Sequence, residues 1–585
     1  MIGNFIGELK RRNVFRAAVL YLGAVWALAQ GIAQLGPELG APEQATRWFV
    51  IASAIGFPFW VTFSWFYELT SSGIKRESEI SPEVRAGQSH RKIDMVIIGV
   101  LAIAVVLLLT DRFLERTAPG PAVAAAIPAD NSIAVLPFDN ESGDKEQQYF
   151  SDGLSEGFII TLSQVDGLRV INRKSSFQFR DKQDDSRGIA ARLGVANLLE
   201  GSVRRMGDTV RISASLIRAS DGSTLWASSY DRPYKDLFAL QDQIVGEVAG
   251  ALKARLQPAQ AHARQGDRPP SGNLEAYAAY MKAQASTDTQ EAIAQFDRAL
   301  QLDPDYALAW SMKARTLIDA VSGGMPENDA AVAFTQADAA VAQAMRLAPT
   351  QASTHVARGM LLMVRDFNWQ GGEAELKRAV QLEPENGDAL FQLGVVLASQ
   401  GDLRQAVELT RRALTLDPRN ALIYRWLVAY LMPLGRLDEA RQAIDKAIAL
   451  EPNAIYNHYL LANIEVLRKD AGAASSAAAA EPAGAWHDFA LALATQVGAD
   501  RAAAAAALQT CLQRYPSGWA FQIAQVYAAS GQPDAMFEWL QRAWQARDPG
   551  MQTLLYDAQL LRYRKDPRYL ALVKQAGLPA TALTP

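Results

Sequence analysis

The chain has 585 residues, and at about 150 residues per domain this length predicts about four domains. Its 58 Lys and Arg residues nearly balance 62 Asp and Glu residues, so the net charge of -4 argues against a strongly basic nucleic-acid-binding protein. The hydrophobic fraction of 49% and the charged fraction of 21% exclude a disordered chain and a collagen-like chain. Cys511 is the only cysteine, and the five histidines lack the spacing of metal ligands. We therefore expect no disulfide framework, no metal site and no cofactor.

Three long apolar runs in the first 112 residues predict a membrane module. The first two are uncharged and have about the 20 residues that a helix needs to cross roughly 30 Å of hydrocarbon, while the third is shorter and more apolar. The expected spans are residues 15–36, 48–67 and 93–112. In the alternative interpretation, the first two runs form a buried hairpin of a soluble domain, which Gln30, Gln34 and Pro58 favour because they interrupt the apolar runs.

The basic residues indicate how the three spans are oriented. Four of them precede the first span and five lie between the second and third spans, whereas the first loop carries only Arg47. The positive-inside rule places the amino terminus and the second loop in the cytoplasm. We therefore expect a multi-pass protein of the bacterial inner membrane, in contact with the lipid bilayer, with all residues after 112 in the periplasm.

Residues 113–131 are rich in Pro and Ala and are expected to form a linker, and residues 132–256 have the pattern of a small α/β domain with a mixed sheet. Ser132–Phe138 is a short apolar run that predicts a buried strand, and Tyr149–Val165 has apolar residues at helical spacing. A second strand and a second short helix follow. Three alternating runs separated by Gly-Asp and Asp-Gly turns then predict an antiparallel meander, closed by a helix at Leu237–Leu256.

Four stretches of this domain, IAVLPFDN, YFSDGLSEG, LEGSVR and DGSTLWASSYD, carry a resemblance to a known family. The domain resembles the TolB amino-terminal-like (FlgO-like) domain of bacterial envelope proteins, from Ser132 to about Leu256. The resemblance implies a mixed sheet packed on helices, in a family usually found outside the cytoplasm.

Gly153–Gly157 satisfies G-x-S-x-G, the nucleophile-elbow motif of serine hydrolases, with Ser155 at its centre. That chemistry needs a buried strand before the serine and an acid and a histidine after it. The preceding EQQYFSD is polar, and the nearest later histidine, His262, lies in a polar stretch. We therefore expect Ser155 to be an ordinary residue near the start of a helix, no catalytic residues, and a protein that is not an enzyme.

After a second linker, residues 257–273, a Leu-x-Pro signature recurs in which x is Asp, Glu or Ala. Its prolines are Pro304, Pro349, Pro384, Pro418 and Pro452, at intervals of 45, 35, 34 and 34 residues. Small residues, among them Gly394 and Ala406, fall where two helices of one unit must approach closely. The units resemble tetratricopeptide repeats, whose period is 34 residues and whose unit is one helix–turn–helix. The resemblance implies an all-α solenoid over residues 274–578 with a C-terminal capping helix, although the Ala-rich stretch 471–507 is weakly patterned.

Such repeats stack into a superhelix with a concave face, and the function that the resemblance implies is binding a protein or peptide partner in that groove. The groove-facing candidates are Phe391, Val395, Arg425, Ala429 and Met432. For each of them the alternative is packing within the array or plain surface.

The amino-terminal text, FIGELKRRNVFRAAVLYLGAVWALAQ and later FYELTSSGIKRE, resembles the membrane module of proteobacterial proteins that join it to a TolB-like domain and tetratricopeptide repeats. Relatives of this layout carry a cyclase or a winged-helix domain, for which the residues before the first span and in the second loop leave too little room. Three hypotheses follow. The chain is a membrane-anchored periplasmic scaffold or sensor, a signalling subunit for a separate cytoplasmic effector, or a cytosol-facing adaptor.

Overall fold

The computed structural model divides the chain into two compact units, residues 1–124 and residues 125–585. In the first unit it describes two short antiparallel strands, β1 (Tyr67–Thr70) and β2 (Gly73–Arg76), with Tyr67 opposite Arg76. The other described positions of that unit are Tyr21, Val25, Ser53, Gly56 and Phe57. In the second unit the described residues are 131–144, 147–165, 167–180, 185–252, 268–322, 327–515 and 517–579.

The three expected membrane spans, residues 15–36, 48–67 and 93–112, lie outside the described residues except at those isolated positions and Tyr67. Within the described part of the chain, no helix has both the length and the apolar character needed to cross a membrane. The membrane module stays a prediction.

The second unit begins with a mixed sheet, as the sequence predicts. Its strands are β3 (Ser132–Val135), β4 (Asp139–Asn140), β5 (Arg169–Val170), β6 (Asn197–Met206), β7 (Thr209–Arg218) and β8 (Thr224–Pro233). The order is β5-β3-β6-β7-β8, with β4 beside β6. Strands β5, β3 and β6 are parallel, whereas β6, β7 and β8 form the predicted antiparallel meander.

Helices cover this sheet and supply its core. They are α1 (Gln148–Ser163), α2 (Arg173–Ser176), α3 (Ser186–Leu193) and α4 (Leu237–Ala251). The predicted apolar spacing of α1 buries Phe150, Leu154 and Phe158 in one cluster with residues of α4 and with the alternating apolar side chains of β7. A separate cluster joins Leu193 of α3 to Leu198 of β6. The predicted small α/β domain is therefore confirmed as a mixed-sheet domain.

Paired helices make up the rest of the unit, which confirms the predicted all-α solenoid. The first helices of the pairs are α5 (Leu274–Ala285), α7 (Ala307–Ser322), α9 (Ala352–Val364), α11 (Gly387–Ser399), α13 (Ala421–Leu431), α15 (Asn457–Arg468), α17 (Ala485–Thr495) and α19 (Ala520–Ala529). The second helices are α6 (Thr289–Leu302), α8 (Glu327–Leu347), α10 (Trp369–Leu382), α12 (Leu403–Leu416), α14 (Leu437–Leu450), α16 (Ala471–Ala480), α18 (Arg501–Arg514) and α20 (Pro533–Gln545). A last helix, α21 (Pro567–Gln575), lies where the capping helix is expected.

The Leu-x-Pro signature ends one pair and starts the next through side-chain hydrogen bonds. After α12, the carboxylate of Asp417 accepts a hydrogen bond from Asn420 Nδ2 at 2.7 Å, and Asn420 Oδ1 accepts the backbone N–H of Leu422 at 3.1 Å. Glu383 holds Asn386, the cap of α11, in the same way. Because the acid fixes the asparagine that caps the following helix, the signature sets the register of the repeats.

Gly394 marks the close approach of α11 and α12. A Cβ atom at this position would lie 3.3 Å from the carbonyl oxygen of Ala406 and 3.1 Å from Thr410 Oγ1. Only a very small side chain fits there, which confirms the sequence prediction that small residues mark the contact of the two helices.

Candidate protein-interaction surface

The first helices of successive pairs contact one another from α9 through α19 and form a continuous inner face. In a tetratricopeptide-type stack this is the concave side, and the second helices lie outside it. A groove for a partner would therefore be lined by α11, α13, α15, α17 and α19.

Two of the predicted groove residues, Phe391 and Val395 on α11, are only 6% and 5% exposed. They belong to a hydrophobic cluster that also contains Met551, Leu554 and Leu555 from the C-terminal part of the chain. Both side chains are therefore buried on the inner helix α11, and Pro549–Thr553 of the same chain contacts that helix.

The other three predicted residues lie on or directly after α13. Arg425 donates to Glu451 Oε2 at 2.9 Å and to Asn457 Oδ1 at 3.2 Å, so its charge is paired within the array. Ala429 and Met432 are partly buried and pack against a second hydrophobic cluster. All five predicted residues belong to two neighbouring inner helices, and the last three keep some exposed surface.

The residues that cover α11 belong to Pro549–Tyr563, which we call the inner segment. It starts and ends in 3₁₀ turns, Pro549–Thr553 and Leu560–Tyr563, instead of forming a further pair of α-helices. Its Tyr556 ring lies 5.4 Å from the ring of Tyr430 on α13. The inner segment therefore crosses from α11 to α13 along the inner face.

Polar contacts carry the inner segment further, onto α15 and α19. Gln525 Nε2 of α19 donates to Asp557 Oδ2 at 2.6 Å, and Gln559 Nε2 donates to Asn463 Oδ1 of α15 at 3.4 Å. Burial raises the pKa of Asp557 above its usual range, although the backbone N–H of Leu560 and the Gln525 amide act in the opposite direction. The inner segment thus contacts the inner helices of four pairs.

An aromatic ladder of Tyr456, Trp486 and Trp519 lies at the beginning of three inner helices, α15, α17 and α19. The ring of Trp486 lies 4.4 Å from that of Tyr456 and 4.9 Å from that of Trp519, edge to face in both cases. All three side chains are half-buried. The ladder is therefore a preformed aromatic surface that repeats once per helix pair.

Tyr456 is held in the ladder by a strained backbone. Its φ is 79°, a left-handed conformation that is an outlier for a bulky side chain. The buried carboxylate of Glu481 accepts the N–H of Tyr456 at 2.5 Å and that of Tyr459 at 2.9 Å. One acidic side chain thus fixes the conformation that turns Tyr456 onto Trp486.

The α/β domain also contacts the array, through α2. Ser175 Oγ donates to the buried carboxylate of Asp417 and accepts the N–H of Arg419 at 2.8 Å. Gln178 and Arg419 exchange two further hydrogen bonds, at 2.7 and 2.8 Å. The turn of a Leu-x-Pro signature, which joins one pair of helices to the next, is therefore a second contact of the α/β domain with the array. The first is α1 on α5, whose Tyr277 and Met281 belong to the hydrophobic core of that domain.

Ser155, the centre of the G-x-S-x-G motif, lies within α1 and is fully buried. Its hydroxyl accepts the N–H of Phe138 at 2.9 Å and donates to the carbonyl oxygen of Ser151 at 2.8 Å. These bonds tie α1 to the end of β3 and give the hydroxyl a structural use. That the chain is not an enzyme stays a prediction.

Sequence reasoning missed the aromatic ladder and the inner-face residues Tyr430, Asn463 and Gln525. The sequence does indicate the ladder, since its three aromatic residues recur at close to the repeat period, each near the start of a helix pair. They are Tyr456, Trp486 and Trp519. The other three have no local signal, because their role depends on the distant inner segment.

Two family models described as tetratricopeptide repeat match the chain, over residues 364–421 and residues 397–464. These residues are tetratricopeptide repeats. Arrays of this family are protein-interaction scaffolds that bind protein or peptide partners.

Solved structures similar to the tetratricopeptide array have low sequence identity to it. Pseudomonas aeruginosa PilF is 17% identical, covers 35% of this chain and 94% of its own, and has a TM-score of 0.29. PilW, a type IV pilus biogenesis factor, is 19% identical, covers 44% and 99%, and has a TM-score of 0.29. YrrB, a TPR protein with an unusual peptide-binding site, is 18% identical, covers 37% and 97%, and has a TM-score of 0.25.

A curated relative with higher identity is a protein of Rhizobium meliloti (strain 1021) that carries the name of adenylate cyclase 3. It is 38% identical over 230 residues, which are 37% of this chain. The chain spans only 38% of the length of that relative.

Proposed function

We propose that the chain is a scaffold or sensor, anchored in the bacterial inner membrane and facing the periplasm, whose tetratricopeptide array binds a protein or peptide partner. The array supports partner binding. The three apolar runs and the distribution of basic residues support the anchor and its orientation. The resemblance of residues 132–256 to the TolB amino-terminal-like domain supports a place in the cell envelope.

The aromatic ladder is the observation that carries partner binding. Tyrosine and tryptophan contribute most to protein interfaces, because each buries a large apolar area at low entropic cost and keeps a polar edge. The ladder offers three such side chains in a row, each with part of its surface still exposed. Arg425 of the neighbouring inner helix α13 donates to Asn457, the residue after Tyr456, and so adds a charged group beside the ladder. Ala429 and Met432, further along that helix and just after it, are the other predicted groove residues that keep some exposed surface.

Photo-crosslinking in living cells tests this surface. A benzoylphenylalanine residue replaces Trp486 of the full chain, and in the control it replaces Trp539, which is also partly buried but lies on the second helix α20. We expect a cross-linked protein partner from position 486 and at most a weak one from position 539. Equal yields from the two positions would contradict binding at the ladder.

A signalling subunit is the second candidate function, and the relative named as a cyclase favours it. In this role the membrane module transmits partner binding to a separate cytoplasmic effector. Replacing residues 1–112 with a cleavable export signal, which keeps the rest of the chain in the periplasm, should then abolish the cellular response while cross-linking from position 486 persists. A loss of both, or of neither, would argue against this role.

Membrane topology decides between these functions and a cytosol-facing adaptor. A reporter that is active only in the periplasm, fused after residue 585, should be active. A signal from a cytoplasmic reporter at the same position would instead favour the adaptor.

A further inference from the structure

The inner face of the array is covered by the chain itself. Where another helix pair would follow α20, the chain turns inward and the inner segment crosses the first helices of four pairs, α11, α13, α15 and α19. Its largest apolar anchors, Leu554 and Leu560, are fully buried there. This is the position that a bound peptide takes on a concave repeat surface.

The contact between the inner segment and the inner face buries several polar groups. The hydroxyls of Tyr430 and Tyr556 and Oε1 of Gln559 are buried and have no hydrogen-bond partner among the described residues. The carboxylate of Asp557, which is partly buried, also lies in this contact and accepts from Gln525. A buried polar group without a partner costs free energy, so exposing these groups to water or to a second occupant recovers part of that cost.

We propose that the inner segment is an exchangeable occupant of the inner face, and that a partner replaces it with a segment of the same chemistry. That chemistry is a short turn-forming peptide with two adjacent leucines and a tyrosine, followed by an aspartate. The leucines share a hydrophobic cluster with Phe391 and Val395, the ring of the tyrosine packs on that of Tyr430, and the aspartate accepts from Gln525. This inference rests on the proposed function, because it names the partner segment that the array recognises.

Adding one methyl group at Gly550 should displace the inner segment from the inner face. A Cβ atom at this position would lie 2.5 to 2.7 Å from atoms of Phe521, which is buried at the start of α19. Gly550→Ala therefore drives the inner segment away from α19. Gly472→Ala is the matched control, because its Cβ atom would meet nothing closer than 3.5 Å, from Asp470 Oδ1.

The probe is a fluorescein-labelled peptide of residues 549–563, PGMQTLLYDAQLLRY, added to the full chain. We expect it to bind the Gly550→Ala chain about tenfold or more tightly than the unmodified chain. A methyl group forced into a filled contact weakens the hold of the inner segment on the inner face by about this factor, and the peptide then takes its place. The Gly472→Ala chain should bind as the unmodified chain does. A peptide with serine in place of Leu554 and Leu560 should not bind any of them.

Hydrogen exchange on the unmodified chain tests the same inference without a substitution. We expect the amides of the inner segment to exchange about tenfold or more faster than those of α11 and α13, because the segment opens without unfolding the array. Equal exchange rates, equal peptide affinities, or a general loss of helix in the Gly550→Ala chain would overturn the inference. A swapped dimer of that chain would also overturn it, since the occupant would then be a second copy.

The two proposals fail separately. Fast exchange and peptide binding without any cross-linked partner from position 486 would refute the proposed function and support the inner segment as an exchangeable occupant. A cross-linked partner together with a slowly exchanging inner segment would refute only the exchange.

Discussion

Ser175→Ala should weaken the contact between α2 of the α/β domain and the Leu-x-Pro turn before α13, while the packing of α1 on α5 remains. The substitution removes the hydrogen bond that Ser175 donates to the carboxylate of Asp417 and leaves the N–H of Arg419 without its acceptor. A hydrogen bond to a charged group contributes about 1.5–3 kcal/mol, and losing the hydrogen bond from the partly buried N–H of Arg419 adds to this, so we expect a destabilisation of about 2–4 kcal/mol. Ser213→Ala is the control, because Ser213 shares an exposed hydrogen bond with Ser229.

The loss of stability caused by Ser175→Ala should depend on pH. Burial raises the pKa of Asp417 above its usual range, and the Ser175 hydroxyl acts in the opposite direction, so Ser175→Ala raises that pKa further. A carboxyl group whose folded pKa is raised destabilises the fold while it is ionised, and this cost disappears as the pH falls through the folded pKa. The difference between the two chains should therefore be largest at neutral pH and narrower in acid. The part of the stability loss that comes from the hydrogen bond of the Arg419 N–H should remain in acid, because that bond does not involve the carboxylate.

Hydrogen exchange of the peptides that cover residues 172–180 and 415–421 measures this contact directly. A loss of about 2–4 kcal/mol makes local opening at least roughly 30-fold more frequent, which exchange resolves easily. An unchanged opening free energy for both peptides would refute the reasoning, as would a difference between the chains that grows as the pH falls.

Three further outcomes follow from burial and close contacts. Burial raises the pKa of Cys511 to about 12, so at pH 8 its reaction with a thiol reagent, followed by absorbance, should be about a thousandfold slower than that of free cysteine; a rapid reaction would show that the side chain is exposed. Asp557→Asn should lower the thermal midpoint at pH 7, because it keeps one oxygen for the two backbone N–H groups but places an amide NH2 opposite Gln525 Nε2, which donates to Asp557 Oδ2 at 2.6 Å; an unchanged or higher midpoint would contradict this. Gly201→Ala should cost about 3 kcal/mol or more in urea unfolding, because its Cβ atom would lie 2.1 Å from the Ser213 carbonyl oxygen, whereas Gly250→Ala, with nothing within 4 Å, should cost nothing.

The repeats could be predicted from the sequence because their determinants are local. The Asp417–Asn420 hydrogen bond joins residues three positions apart, and each helix packs mainly on its neighbours in the chain. The Ala-rich stretch 471–507 has little apolar pattern, yet it forms α16, α17 and part of α18. Alanine favours the helix, and Asp470 and Asp500 cap α16 and α18.

The covered inner face could not be predicted, because its contacts join residues far apart in the chain. Gln559 Nε2 donates to Asn463 Oδ1, which lies 96 residues away, and the ring of Tyr556 packs on that of Tyr430. A helical period assigned Phe391 and Val395 to the inner helix α11, but no period in the sequence indicates that a later segment covers them. Only the folded chain brings these residues together.

The contact of α2 with the array and the contact of the inner segment with the array both involve α13 or the turn before it. The two contacts can therefore be coupled to each other and to partner binding. The α/β domain docks at the Leu-x-Pro turn before α13, and the inner segment contacts the same helix through Tyr430. A partner that displaces the inner segment must exceed the free energy of that contact, so its apparent affinity falls by the fraction of chains that are closed. By linkage, any partner that prefers the open inner face also changes the stability of the α2 contact if α13 moves between the two states. Ser175→Ala and Gly550→Ala combined in one chain measure this coupling: additive changes in peptide affinity mean two independent contacts, and a departure from additivity means that α13 transmits binding to the α/β domain.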